Sequence, residues 1–286
     1  MDNSDNKEKY HIHISSKIKW YDFHLDEVWR FRDLIILFTK RNFQLIYKQT
    51  ILGPVWIFLS PFLTSIIYSF VFGDIVGIST GKVPTFLFYM CSNTIWAYFS
   101  SCVVKNARTF LNNANVFGKV YFPRLTVPIS NMFTSIIQFC IQMIMVMLLF
   151  GFFAIKQVIR PNWSIWPFIP LVLIHLGLLG LGFGIIVSSL TTKYRDLSIL
   201  VDFGVQLWMY ATPVVYPLSQ LNEGLIKNLL LINPVTAPIE VFRNALLGEG
   251  SITLWPILWS IVFTVLIFAF GVILFNKIER SFMDTI

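Results

Sequence analysis

The sequence predicts an all-α integral membrane protein: six transmembrane helices, an N-terminal interfacial amphipathic helix, and short re-entrant outer helices between spans five and six. Three observations predict it. The 286 residues are 56% hydrophobic and only 13% charged, with a mean hydropathy of +0.68, whereas a soluble domain carries about 25% charged residues. Six apolar runs, at roughly 51–73, 83–104, 125–155, 166–190, 197–217 and 252–276, have about the 20-residue length that crosses a bilayer as a helix. The basic residues, finally, divide unequally between the two sets of connections that six spans create.

With six spans both termini share a side. That side holds nine Lys and Arg in residues 1–50, four in the second loop (Lys105, Arg108, Lys119, Arg124), two in the fourth (Lys193, Arg195) and two at the C-terminus (Lys277, Arg280), seventeen in all. The other side holds five: Lys82, Lys156, Arg160, Lys227 and Arg243. Positive residues stay in the cytoplasm during insertion, so the split predicts a multi-pass protein of the cytoplasmic (inner) membrane with both termini cytoplasmic. It also accounts for the net charge of +7 without nucleic acid, because no soluble, aromatic-interleaved basic domain exists to bind it.

Residues 1–25 read as a polar cytoplasmic N-terminal extension, without the apolar core of a cleavable signal. Over 26–48, Val28, Phe31, Leu34, Ile35, Phe38, Leu45 and Ile46 recur at helical spacing, opposite Arg30, Asp33, Lys40, Arg41, Gln44 and Lys48. Such a helix lies in the membrane interface, either as a plain anchor or as a docking place for a cytoplasmic partner. In the first span Ser60, Thr64 and Tyr68 stand one turn apart after Trp56, and Pro61 is placed to bend the helix. In the third, Asn131, Ser135, Gln138 and Gln142 share a face, which serves either interhelical hydrogen bonding or a hydrated pathway.

The fourth span carries a smooth strip, Gly177, Gly180, Gly184 and Ser188, suited to close helix approach. His175 beside it reads as a hydrogen-bonded core residue, having no second metal-type residue at i+3 or i+4. Cys91, Cys102 and Cys140 fall in or at the ends of apolar runs, at neither metal nor disulfide spacing. No metal site is expected.

In the fifth span Asp202, Gln206, Tyr210, Pro213 and Pro217 recur on one face. A carboxylate facing lipid costs several kcal/mol, so Asp202 should face protein or water. The prolines free carbonyls near the outer end, tolerable only where water or neighbouring groups satisfy them. Two arrangements fit: a helix lining a passage and bending at its outer gate, or a packed helix whose Asp202 caps it or pairs with Lys193 or Arg195. The following segment, 218–250, is too apolar for a free loop and its pieces are too short to cross, hence two re-entrant helices. Thr236 is the expected N-cap of the second, with Pro238 in its first turn and Gly248 at its end. Glu240 and Arg243 form an outer re-entrant pair, joined to one another within the helix or in contact with a polar substrate.

Catalytic chemistry is not indicated. The stretch GISTGKV (77–83) lacks the spacing and the Ser/Thr of a phosphate-binding loop, and Asp74, Asp202, Glu223, Glu240 and Glu249 are spread over both sides rather than gathered for acid–base work. No catalytic residue and no cofactor are assigned.

Four ordered segments carry a resemblance. YKQTILGPVWIFLSPFLTSIIYSFVFG (47–73), NANVFGKVYFPRLTVP (113–128), KYRDLSILVDFGVQLWMYATPVVYP (193–217) and NPVTAPIEVFRNALLGEG (233–250) look like the permease subunit of type-2 ABC exporters for O-antigen polysaccharide and teichoic acid. The resemblance covers nearly all of the chain from about residue 26, so that 26–286 reads as a six-span permease domain. It implies a homodimer, a cytoplasmic coupling region at 106–119, and two copies of a separate cytoplasmic ABC ATPase that binds ATP and Mg. Arg108, Thr109, Phe110, Leu111, Asn112 and Asn113 would then transmit the ATPase movement, since the chain has no nucleotide-binding motif of its own. The first and fifth spans would line the passage for a lipid-linked polysaccharide.

Sugars offer CH faces to aromatic rings and hydroxyls to polar groups. Trp56, Ser60, Thr64, Tyr68, Asp202, Gln206, Trp208, Tyr210 and Tyr216 are accordingly the candidate lining residues, although Trp and Tyr also populate the ordinary interfacial belt. The rival readings are an ABC exporter of a lipid or drug, a membrane-embedded glycosyltransferase, and a passive pore that needs no ATPase.

Overall fold

The computed structural model describes residues 25–48, 53–194, 196–250 and 253–283, and among these there is no strand. Arg195 and the extension expected over 1–25, apart from Leu25, lie outside the described residues. The helices are α1 (Leu25–Arg30), α2 (Arg32–Tyr47), α3 (Val55–Tyr68), α4 (Thr85–Ala107), α5 (Thr109–Phe117), α6 (Thr126–Ile155), α7 (Ile169–Thr191), α8 (Leu197–Tyr210), α9 (Leu225–Ile232), α10 (Thr236–Leu247) and α11 (Leu254–Met283). Short 3₁₀ turns at Trp166–Phe168 and Leu218–Gln220 precede α7 and follow α8.

The axis of the bundle is α4, packed on by α3, α6, α7, α8 and α10. Every residue from Leu87 to Trp96 is buried, polar Ser92, Asn93 and Thr94 included. The glycine strip of α7 lets two backbones meet there: a Cβ at Gly180 would stand 2.7 Å from Cys102 Cβ and 3.2 Å from the Phe99 carbonyl oxygen. The expected close approach is therefore present, and α4 is the helix that uses it. On the far side of α7, His175 Nε2 bonds to Thr264 Oγ1 at 2.8 Å and Ser260 Oγ at 3.0 Å on α11, the packed role expected of it.

Among the described residues four helical stretches are long and apolar enough to cross a membrane: Val55–Ile75, Thr126–Ile155, Trp166–Thr191 and Leu254–Ile278. A fifth is counted if α9 and α10, bent 91° at their junction, form one broken span. The two other expected spans depart from the simple rule for different reasons. Helix α4 has 23 residues, about 35 Å at 1.5 Å per residue, but its Ser, Asn and Thr side chains dilute its apolarity. Those side chains point at neighbouring helices, and only a lipid-facing surface must be apolar. Helix α8 is short, 14 residues. The run expected to be helical over 197–217 stops at Tyr210 and continues as turns, because Pro213 in an α-helix would clash with the carbonyl four residues back.

The first spanning stretch is also irregular. Ser69–Ile75 is π-helical, with Val76 N–H reaching the Val71 carbonyl at 2.9 Å, five residues back. Pro61 sits buried inside α3, and its carbonyl accepts from Ser65 Oγ at 2.7 Å and Asn93 Nδ2 at 3.3 Å. A second core lies at the α5 end of the bundle, where Val28, Ile35 and Phe38 of α1 and α2 meet Phe110, Phe117, Phe122 and Phe275. Of the apolar face read over 26–48, Val28, Ile35 and Phe38 are buried while Leu45 is exposed.

Candidate functional site

At one end of α4, Arg108 ends the helix and precedes α5. Its guanidinium pairs with the Asp202 carboxylate of α8, both side chains remaining well exposed. Among the described residues Asp202 thus pairs with Arg108 and not with the Lys193 expected as an alternative; its partner is the first of the six coupling candidates. The remaining five divide by direction. Phe110 is buried, stacked on Phe275 at 4.6 Å with its N–H donating to Ser188 Oγ at 3.2 Å. Thr109 and Asn113 are also buried, Asn113 Nδ2 donating to the Thr109 carbonyl at 3.0 Å. Leu111 is half-buried and Asn112 faces outward. One face of α5 is therefore anchored in the bundle and the other is free for contact.

At the opposite end of α4 the chain reverses after α8. Four carbonyls of the proline-rich turns are met by side chains: Ala211 by Asn233 Nδ2 at 2.8 Å, Pro213 by Arg243 Nη1 at 2.7 Å, Val215 by Tyr89 OH at 3.2 Å, and Tyr210 by Tyr216 OH at 3.1 Å. The requirement read from the prolines is satisfied by protein donors. Arg243 also pairs with Glu240, the two side chains only 1% and 3% exposed, and stacks over the Phe88 ring at 4.7 Å. The outer pair is thus joined within its helix. Thr236 is not the N-cap expected of it: Val235 holds that position without a side-chain cap bond, and Asn233 Oδ1 accepts from Val235 N–H at 3.1 Å instead. An Asn two residues back closes the turn as an Asx motif, leaving Thr236 as the first helical residue. Gly248 ends α10 in the left-handed conformation, φ 70°, as read.

Between these ends, α3 and α8 each expose a set of side chains. Trp56, Ser60, Ile67 and Phe70 are exposed on the first spanning stretch, and Asp202, Phe203, Gln206 and Tyr210 on α8. Tyr68 joins the two helices, its hydroxyl 3.5 Å from Met209 Sδ and its ring edge-on to Tyr89. Thr64 bonds back to the Ser60 carbonyl at 2.9 Å. Trp208 is turned inward, edge-on to Phe99 and Phe183, and donates to Asn233 Oδ1 at 3.2 Å; Tyr216 is half-buried. The spacing of Asp202, Gln206 and Tyr210 on one face is preserved, while the prolines that extended it are buried.

One polar cluster was read only on its α6 side. The α6 face bonds across to α4: Ser101 Oγ to Ser135 Oγ at 2.9 Å, Asn131 Nδ2 to Asn106 Oδ1 at 3.2 Å, and Lys105 to Gln138. Lys105, expected in a loop, lies inside α4. The signal was its position four residues after Ser101, which puts both on one helical face.

Residues 33–247 match the model of a family described as ABC-2 type transporter. The chain belongs to the ABC-2 type transporter family. It is similar to an O-antigen export system permease protein RfbA of Klebsiella pneumoniae, 27% identical over 259 residues that cover 88% of this chain and 94% of that protein. It is also similar to an O-antigen export system permease protein RfbA of Myxococcus xanthus, 29% identical over 219 residues, 76% of this chain and 81% of that one. The ABC-2 chain is thus a multi-pass membrane transport subunit, and its family implies partnership with an ATPase subunit.

Proposed function

We propose that this chain is the channel-forming subunit of an ATP-driven exporter that moves a lipid-linked polysaccharide, of O-antigen or teichoic-acid type, across the cytoplasmic membrane. It has six spans, α3, α4, α6, α7, α8 and α11, with both termini cytoplasmic and α1–α2 lying in the interface. Two copies assemble, and each engages one copy of a separate cytoplasmic ABC ATPase that binds ATP and Mg. The observation that carries the reading is the Arg108–Asp202 bridge: it joins the start of α5 to the helix that bears the outward Gln206 and Tyr210. Movement imposed on α5 from below reaches α8 through that bridge and through Phe110, wedged against Phe275.

The outward surface of α3 and α8 is largely apolar, with Leu63, Ile66, Phe203 and Leu207 exposed, but it also carries groups suited to a sugar. It pairs aromatic faces, Trp56 and Tyr210, with the hydroxyl and amide of Ser60 and Gln206, and rings of this kind stack on CH faces while polar tips bond hydroxyls. In a homodimer this surface would be shared between two copies. Two experiments test the reading. The chain is extracted gently from its native membrane, the co-purifying proteins are identified, and ATP hydrolysis is compared with that of Arg108→Ala. A bound ATPase uncoupled by the change supports the exporter; the absence of any nucleotide-binding partner sinks it. Tyr210→Ala should lower surface polysaccharide strongly while assembly with the ATPase is retained, and export at the unsubstituted level would remove Tyr210 from the lining.

A further inference from the structure

Lys105 lines one cavity of about 440 Å³, and its Nζ bonds to Ser135 and Gln138 in the wall of a second of about 270 Å³. The larger is lined by Arg41 and Asn42 of α2, Lys105 of α4, Asn112 and Asn113 of α5, and Asn131 of α6. The smaller runs on between α3, α4 and α6, past Ser101, Ser135 and Gln138 to Trp56 and Gln142. Ile46 belongs to the wall of both, and together they fall within the ~300–1,000 Å³ typical of small-ligand sites. Neither cavity is lined by a carboxylate among the described residues.

The two cations there are held by neutral groups. Lys105 Nζ donates to Gln138 Oε1 and to Ser135 Oγ at 3.3 Å. Arg41 Nη2 donates to Asn42 Oδ1 at 3.1 Å and Asn113 Oδ1 at 3.4 Å, its guanidinium resting over the Phe38 ring. An ammonium drawn among helices without a counter-charge is costly, and an anion bound in the crevice would offset that cost. The donor set narrows its chemistry: a guanidinium fork, an ammonium point charge and the Asn112 amide suit an anion with three or more oxygens, while the amides of Asn42, Asn113 and Asn131 already donate within the protein. The apolar walls, Leu45, Ile46 and Val116 in one cavity and Ile57 and Phe139 in the other, suit a molecule with a hydrocarbon part.

We propose that the crevice between α2, α4, α5 and α6 is a phosphate-binding site, centred on Lys105 and Arg41, that takes the phosphate of a lipid headgroup or free phosphate. Its placement beside α5, on the side that the proposed function calls cytoplasmic, rests on that reading. Occupation would neutralise Lys105 against α6 and tie α2 to Asn112 and Asn113, so that the bound anion bears on the same helix as the ATPase contact.

Native mass spectrometry of the full chain in detergent tests this without an ATPase or a polysaccharide, so it can fail while the exporter reading stands. Phosphatidic acid, phosphatidylcholine and inorganic phosphate are the probes. The unsubstituted chain should retain phosphatidic acid in preference to phosphatidylcholine. Lys105→Gln should weaken that retention about tenfold or more, as expected for a charge-assisted bond to phosphate, and Lys105→Arg should keep most of it. Displacement of phosphatidic acid by inorganic phosphate identifies the free anion as sufficient; retention of the lipid against it identifies the headgroup together with its chains. Thermal unfolding controls for folding: without phosphate, Lys105→Gln should melt no lower than the unsubstituted chain, since it removes a charge that has no counter-ion. Arg41→Gln, on the peripheral α2, should also weaken retention, by a smaller factor. Equal retention of phosphatidic acid by the unsubstituted chain and by a folded Lys105→Gln or Arg41→Gln variant overturns the proposal.

Discussion

Two acid–base pairs bracket α4, one at each end, and they are built for opposite purposes. Glu240–Arg243 is enclosed, 3% and 1% exposed, within a single helix. It is supplied with the Pro213 carbonyl and the Phe88 ring as further partners. Arg108–Asp202 joins two helices 94 residues apart in sequence and is 38% and 47% exposed. Desolvated ions cannot separate without leaving a bare charge inside the protein, so the first pair fixes the chain reversal after α8. Ions that keep their water separate at little cost, so the second pair resists a relative movement of α5 and α8 far less than the first would. A rigid turn at one end of α4 and an adjustable link at the other are what the proposed exporter, worked from one side, would require.

The contrast is open to direct attack. The largest effect belongs to the enclosed pair: Glu240→Ala or Arg243→Leu alone should cost about 3–5 kcal/mol, the loss expected when one partner of a buried pair is removed. It would be read as a large fall in thermal midpoint in detergent. Replacing both, Glu240→Leu with Arg243→Met, should recover part of that loss, because no bare charge remains. If the single substitutions cost as little as those at Arg108, the enclosed pair is not structural and the contrast fails.

A smaller stability effect belongs to the exposed pair. Arg108→Gln or Asp202→Asn should change stability by about 1 kcal/mol or less yet lower ATP-driven export. The exchanged pair, Arg108→Asp with Asp202→Arg, should restore export above either single change. Additive export losses in that cycle would show that the two residues act separately. The smallest effect is assigned to Glu223–Lys227, four residues apart with Glu223 84% exposed. Glu223→Gln should shift the thermal midpoint by no more than about 0.5 kcal/mol equivalent and leave export unchanged. A clear export defect there would bring the start of α9 into the mechanism.

How far the sequence reads depends on the residue. Gly177, Gly180 and Gly184 announced a close helix approach, because only the absence of Cβ permits one, but nothing in their spacing named α4 as the neighbour. Pro213 and Pro217 announced carbonyls in need of donors; the donors, Arg243, Tyr89 and Asn233, come from two other segments. The exposed stripe Asp202, Gln206, Tyr210 was legible because helical period alone puts these residues on one face. Trp208 was not separable from them by composition, and it turns inward because Phe99, Phe183 and Asn233 make a place for its ring and its N–H. Lys105 was counted as a loop cation, since a hydropathy window sees its charge and not the Gln138 and Ser135 that receive it.

By itself the sequence determined the all-helical class, the apolar runs, the unequal distribution of basic residues and the family motifs, for these follow from local periodicity and from the cost of placing charge and open backbone in lipid. Only the tertiary structure decided that α4 is the polar axis, that α8 stops at Tyr210, that Asp202 answers to Arg108, and that Lys105 and Arg41 share a crevice free of carboxylates among the described residues. These are pairings between distant segments. A single chain written in one dimension records the needs of each segment, a donor, a counter-charge or a gap for a helix, but which segment meets each need is settled only when packing brings them together.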